Sequence, residues 1–329
     1  MPALRARSLL GVFLSAAAAY PMQTARAQTL ADLFQGNAAF SKEAEAVESS
    51  FGMHFISLPR TQAGLRAYYI KNYETASGGK SAVGAAASPD GTNFSDQGVV
   101  LDVGSDPASW DGRLASFPGV WKDGETFYLV YEGAGLDPSS PGDIGLAIST
   151  DGIHFTKHPD NPILRHGSGW ESVNVGTPSL WKEGTTWYLF YHGFDGARVQ
   201  IGVAAGSDLT RLEKHPGNPV LKTGPPEAWD EGTVGKRSIL KQGGVYYMMF
   251  EGSTRPPYRQ ARWSSGLARS TDLLHWEKFQ DNPVLPRTEG GFGFDGPELV
   301  SLDGKIWAYF RSQGNATERT RLSGRPSEN

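Results

Sequence analysis

Apolar and polar positions alternate in short runs along most of the chain, and five of these runs are strongly aromatic. They lie at 68–74, 127–132, 187–192, 246–251 and 306–311. Alternation over six or seven residues reads as a half-buried strand. The runs end at positions 74, 132, 192, 251 and 311, at intervals of 58, 60, 59 and 60 residues. A fixed period marks one supersecondary unit stacked or arranged in a ring. A unit of this length, built of short strands and tight turns, fits a four-stranded propeller blade.

The fullest copy opens at Trp170-Glu171, runs through a strand around Thr177 to Trp181, turns at 182–185 and enters the aromatic strand ending at His192. A third strand follows at 200–205, a short turn at 206–208, a last strand near Leu212, and a closer Asn218-Pro219-Val220-Leu221. The same opener stands at Trp110-Asp111, Trp229-Asp230 and, degenerate, at Phe294-Asp295. Turns such as Lys122-Asp123-Gly124 supply the glycine a hairpin needs at positive φ. The Ser-x-Asp motifs at 88–91, 149–152 and 270–272 suit turns in which Ser and Asp bond the backbone. The pattern predicts an all-β, five-bladed β-propeller of four-stranded antiparallel blades at 52–311. A short helical leader capped by Thr29 is expected at 28–51 and a polar tail at 312–329.

In an up-and-down blade the second-strand ends and the blade crossovers share a face. That face would gather Glu74, Glu132, His192, Glu251 and Arg311 with Asp111, Glu171, Asp230, Glu231 and Asp295, and nearby Arg113, Lys236, Arg237 and Glu298. Clustered carboxylates push one another's pKa values apart, as an acid and base pair requires. Trp110, Trp170 and Trp229 suit the apolar faces of sugars. They equally suit packing between blades, and each acid beside them could merely hold an indole N–H or a turn amide. His192 has no second histidine at metal-ligand spacing, so no metal site is expected from it.

Formal charge is −4 and there is no cysteine, which gives no footprint for nucleic acid and no disulfides. Residues 1–27 have the basic start, apolar core and Ala25-Arg26-Ala27 end of a secretory signal peptide. A periplasmic or secreted monomer, free of the membrane after cleavage, is expected.

The Pro-x-Leu/Val-Trp-Lys-acid-Gly, Tyr-Leu-x-Tyr-x-Gly and Ile-Gly-x-Ala grammar at 118–152 and 178–208 resembles the five-bladed β-propeller glycoside hydrolases: arabinanases, β-xylosidases and arabinofuranosidases. It is also similar to the mannoside phosphorylases. The resemblance implies three acids at inner-strand starts. Here the residues before the matching prolines are Phe117 and Thr177, and only the stretch from Asp295 to Leu299 keeps an acid-x-Pro pattern. It implies a glycosidase acting on a carbohydrate, with Asp295 as general acid, Asp111 or Glu231 as base, and Glu171 a further acid. Arg113, Glu132, His192, Arg237, Glu251, Arg311 and the three tryptophans would bind substrate. No cofactor is expected; a structural Ca²⁺ in the central channel stays open. A phosphorylase or transglycosylase on the same fold, and a non-catalytic glycan-binding propeller, are the alternatives.

Overall fold

The computed structural model describes residues 27–41, 44–49, 54, 56–75, 78–106, 108–255, 261–285, 295–312 and 316–324. Residues 1–26 of the expected signal peptide lie outside these. Among the described residues, one five-residue helix and one turn of 3₁₀ helix apart, the regular structure is strand. No helix among the described residues is long and apolar enough to cross a membrane.

The strands form successive antiparallel meanders, each running inner, second, third and outer. The second comprises Leu114–Asp123, Thr126–Ala134, Asp143–Ser149 and Thr156–Lys157. The third comprises Asn174–Glu183, Thr186–Phe194, Val199–Gly206 and Glu213–Lys214. The fourth comprises Thr233–Gln242, Val245–Ser253, Trp263–Ser270 and Glu277–Lys278. The first has Gly64–Thr75, Gly78–Ser88 and Asn93–Leu101, with its inner run at 56–60 joined to the second strand through Ser57 and Tyr68.

The fifth meander holds Asp295–Leu302, Lys305–Arg311 and Thr317–Gly324, and takes its outer strand, Ala38–Phe40, from the start of the chain. This corrects two expectations. Residues 317–324 are not tail but a third strand, in which Thr317, Arg319, Thr320 and Leu322 are buried. Among the described residues of the leader, helix is confined to Leu30–Phe34, where Thr29 and Asp32 form a capping box. Its strands Ala38–Phe40 and Glu45–Ala46 pair with Thr317–Gly324, because an unpaired third strand would leave a row of backbone groups unsatisfied.

Five apolar clusters hold the meanders together, each shared by two of them. One joins the first and second, with Val83, Leu101, Leu129 and Tyr131. Another joins the second and third, with Val130, Ile144, Leu189 and Tyr191. A third joins the third and fourth, with Phe190, Val203, Met248 and Phe250. A fourth joins the fourth and fifth, where Leu30 and Leu33 also pack. The last joins the fifth to the first, with Tyr69, Leu65, Val300 and Trp307. A hydrogen bond repeats across two of these seams. Tyr68 Oη donates to Gly152 O at 2.9 Å between the first and second meanders, and Tyr309 Oη donates to Gly91 O at 2.7 Å between the fifth and first. Both acceptors sit in Ser-x-Asp-Gly turns, whose Asp90 and Asp151 accept two backbone N–H groups each. Those motifs are therefore structural.

Candidate active site

Register identifies which residues stand at the same level. A Cβ on Gly84, Gly145, Gly202 or Gly266 of the third strands would strike the ring of Tyr69, Tyr131, Tyr191 or Phe250. These aromatics are equivalent, and the next residue in each second strand is Ile70, Glu132, His192 and Glu251. Arg311 takes that place in the fifth meander, opposite Asp295. Glu74 is thus displaced from the row it was expected to join. It is exposed, four residues further along a longer hairpin, and pairs with Gly79. Opposite the row stand His54, Ser116, Gly176, Gly235 and Asp295.

Glu132 and Glu251 are buried, 7% and 4% exposed. The backbone makes room for both. A Cβ on Gly176 would lie 1.9 Å from Glu132 Oε2, and one on Gly235 2.6 Å from Glu251 Oε1. Each inner strand then bulges next to that point, so an N–H turns toward a carboxylate. Thr177 N donates to Glu132 at 3.1 Å. Lys236 N and Gly296 N donate to the two oxygens of Glu251 at 2.9 and 3.0 Å. Thr177, at φ 40°, and Phe117, at φ 52°, hold left-handed backbone that glycine would adopt more cheaply. Burial pushes the Glu132 carboxyl up to about 7, against the pull of Thr177 N–H, Asn174 and Arg113. Burial and the neighbouring Asp295 push Glu251 up to about 7.

The cations nearby are engaged. Arg237, 1% exposed, donates to Thr177 O, Thr177 Oγ1 and Gly235 O at 2.7–2.9 Å. Burial lowers it to about 9, with Glu251 opposing the shift. Lys236 Nζ donates to Glu298 Oε2 and Pro297 O, both at 2.7 Å. His192 Nδ1 lies 2.8 Å from Thr177 Oγ1, and burial, then Arg237, lower it to about 3, so it is neutral near pH 7. Asp295, 2% exposed, receives both arms of the Arg311 guanidinium, one at 2.8 Å. Burial raises its pKa and Arg311 pulls it back. Half-buried Arg113 donates to Gly135 O at 3.1 Å.

The crossover acids go elsewhere. Trp110, Trp170 and Trp229 stack on Tyr131, Tyr191 and Phe250, with ring centroids 5.7–5.8 Å apart. Beside them Asp111, Glu171 and Asp230 bind Lys157, Lys214 and Lys278 at 2.5–2.6 Å. Those lysines lie on the outer strands, so each Trp-acid pair clamps its own meander from centre to rim. Asp111, Glu171 and Asp230, expected on the face that carries the row, are each held by one of these lysines. Glu231 accepts from Glu227 N at 2.7 Å and Arg255 N at 3.3 Å within its own loops, and these bonds hold its pKa down.

Between the inner strands runs a cavity of about 320 Å³, lined by Ser57, Ser179, Ser238, Glu298, Trp121 and Trp181 among others. Its carboxylate, Glu298, already holds Lys236. Among the described residues no group of three or more His, Cys, Asp or Glu side chains is placed to hold a metal ion. The sequence pattern singled out Glu132, His192, Glu251 and Arg311, which register places in one row, and Asp295, which register places opposite Arg311. It missed His54, Gly176 and Gly235. An opener in the first repeat would have flagged His54, but that repeat has none.

The family model described as beta-1,4-mannooligosaccharide phosphorylase, of glycoside hydrolase family 130, matches residues 136–297. An uncharacterized protein of Mycobacterium tuberculosis is 26% identical over 185 residues, and the match spans 51% of this chain and 59% of that protein. A solved glycoside hydrolase superposes with TM-score 0.71 at 17% identity, covering 91% of this chain and 96% of that one. A thermostable family-43 glycoside hydrolase gives 0.67 at 19%, covering 87% and 96%. A family-130 structure, from a family described as mannoside phosphorylases containing hydrolases for β-1,2 mannosidic linkages in Candida mannan, gives 0.65 at 11%, covering 88% and 94%. The chain is similar to propeller-fold glycoside hydrolases, mannoside phosphorylases included.

Proposed function

We propose that the five meanders are blades of one closed propeller, and that its funnel hydrolyses a glycosidic bond with Glu251 as general acid. Closure is supported by the seam between the fifth and first meanders, which repeats the Tyr-to-turn bond of the seam between the first and second. One observation carries the chemistry. Two carboxyls, Glu132 and Glu251, are sealed at matching strand ends, over glycines that leave them space, and burial drives each to about 7. A proton carrier works best with a pKa near the working pH.

Glu251 replaces Asp295 in the acid's role because Asp295 is held as a carboxylate by the Arg311 cation, whereas the hydrogen bonds to Glu251 come from neutral backbone N–H groups. Asp295 instead raises Glu251 by its proximity and keeps Arg311 in place. Asp111, Glu171 and Glu231 are assigned structural roles, since each is satisfied away from the row. Hydrolysis is favoured over phosphorolysis because Lys236, Arg237 and Arg311 already have partners that phosphate would have to displace. The names of the family match and of its solved relative make β-mannosides the first substrates to try. The signal-peptide reading places the activity outside the cytoplasm. A glycan-binding role without catalysis is favoured by one fact: the inner-strand positions before Pro118 and Pro178 are Phe117 and Thr177, not acids.

The test is sugar release from a panel of manno-, xylo- and arabino-oligosaccharides, with and without phosphate. Turnover independent of phosphate, lowered about 10²–10⁴-fold in Glu251→Gln, is expected. Binding without turnover would move the protein to the non-catalytic reading.

A further inference from the structure

The crossover from the first meander to the second is built like the two that follow it, with one difference. A Cβ on Gly104, Gly167 or Gly224 would lie 2.2–2.7 Å from the clamp acid Asp111, Glu171 or Asp230, so these glycines are equivalent. In the later crossovers the carbonyl two residues before the glycine, Arg165 O or Lys222 O, accepts from the clamp lysine, Lys214 at 2.7 Å or Lys278 at 2.6 Å. Each lysine thereby ties the crossover to the outer strand. Lys157 Nζ donates only to Asp111 among the described residues, at 2.6 Å. The residue at the matching place, Asp102, is tied instead to the long hairpin of the first meander, where its Oδ1 accepts from Tyr73 Oη, and also from Val103 N at 2.8 Å. An open cleft of about 560 Å³ lies there, between the two meanders. Small-molecule sites typically measure about 300–1,000 Å³. The cleft shares no lining residue with the central cavity, and none of the row's residues lines it.

Its walls carry both kinds of polar group. An ammonium has three N–H groups, and Lys157 uses one of them on Asp111. His158 Nδ1 accepts from Asp160 N at 3.2 Å, so the neutral ring carries its hydrogen on Nε2. Asp102 makes both of its bonds through Oδ1, which leaves Oδ2 to accept, and the hydroxyl of exposed Ser105 can do either. Half-buried Trp110 and Phe155 add ring surface. Charges of both signs disfavour a simple ion: an anion would meet Asp102, a cation Lys157. Donors and acceptors interleaved with aromatic rings suit a neutral polyol, whose hydroxyls do both and whose ring faces are apolar. We propose that this cleft is a second saccharide site, apart from the funnel, which binds a short neutral oligosaccharide without cleaving it. The proposal rests on the carbohydrate reading above for the sugars to try, and not on the chemistry of the row.

The test is calorimetric titration of the full chain carrying Glu251→Gln, so that the sugar survives, with manno-, xylo- and arabino-tetraose. Two cleft variants are compared. Ser105→Trp fills the cleft from an exposed position, and His158→Ala removes a donor. Melting temperature reports folding. At least one tetraose should bind, and one binding event should weaken about tenfold or more in the cleft variants. With Glu251 intact, turnover of a short aryl glycoside should stay near wild type in both. A drop in affinity in either folded variant supports the site. Affinity unchanged in both folded variants, or no binding of any tetraose, overturns the proposal. Loss of turnover together with binding in both folded variants would make the cleft part of the funnel and also overturn it. Cleft-dependent binding by a protein that cleaves no glycoside keeps this site and removes the hydrolytic reading. Turnover without cleft-dependent binding does the reverse.

Discussion

Glu132 and Glu251 keep protons near neutral pH because a glycine faces each of them. Gly176 and Gly235 let the carboxyls lie against backbone where any side chain would intrude, and burial then favours the uncharged form. The cost is testable. A group whose folded pKa is about 7 against 4.5 unfolded binds more protons when folded. Its contribution to stability is therefore fully present below about 4.5 and is lost as pH rises toward 7. The cost at high pH is on the order of 3 kcal/mol per group. Glu132→Gln should accordingly raise the melting temperature above pH 7 and change it little near pH 4.5. A gain that is equal at both pH values would mean the carboxyl is not buried as charged. The ends of the aromatic runs were legible in the sequence because a charge at a fixed period stands out. His54 was not, because the first repeat lacks an opener and its hairpin runs four residues past the row, so the interval was counted to Glu74.

At the scale of elements, period-2 alternation located the inner and second strands, whose apolar faces are unmistakable. The third strand of the fifth meander looks like tail in the sequence because its buried face is mostly polar. Arg319 is buried there over the Trp307 ring at 4.2 Å, with Glu45 and Tyr309 Oη as partners, and such a face carries no apolar signal. The Trp-acid openers look like unpaired acids in the sequence for a related reason. Their lysine partners lie 43 to 48 residues later, so the sequence displays an acid without its counter-charge. Lys214→Met should leave Glu171, 5% exposed, without its cation. Removing one partner of a buried pair is costly. Because this lysine is part-exposed, about 1–3 kcal/mol is expected. Differential scanning calorimetry should show that loss with turnover per folded molecule unchanged. A drop in turnover at constant stability would return Glu171 to the active site.

In the proposed propeller the ring is closed by a strand from near the start of the chain. Ala38–Phe40 completes the fifth meander, and Leu30 and Leu33 fill the seam between the fourth and fifth. Deleting residues 27–41 should lower the melting temperature sharply and expose the edge of Thr317–Gly324, seen as concentration-dependent aggregation. A deletion variant as stable as the full chain would show that the leader is dispensable. Closure matters for function because the row is drawn from all five meanders: His54, Glu132, His192, Glu251 and Asp295 converge only if the ring is shut. The most direct test of that site is the dependence of Glu251→Gln on its leaving group. A lost general acid should slow substrates with poorly acidic leaving alcohols by about 10²–10⁴-fold, and spare activated aryl glycosides that depart without a proton, with phosphate irrelevant to both. Equal losses on both substrate types, wild-type rates on both, or turnover that requires phosphate would contradict the account.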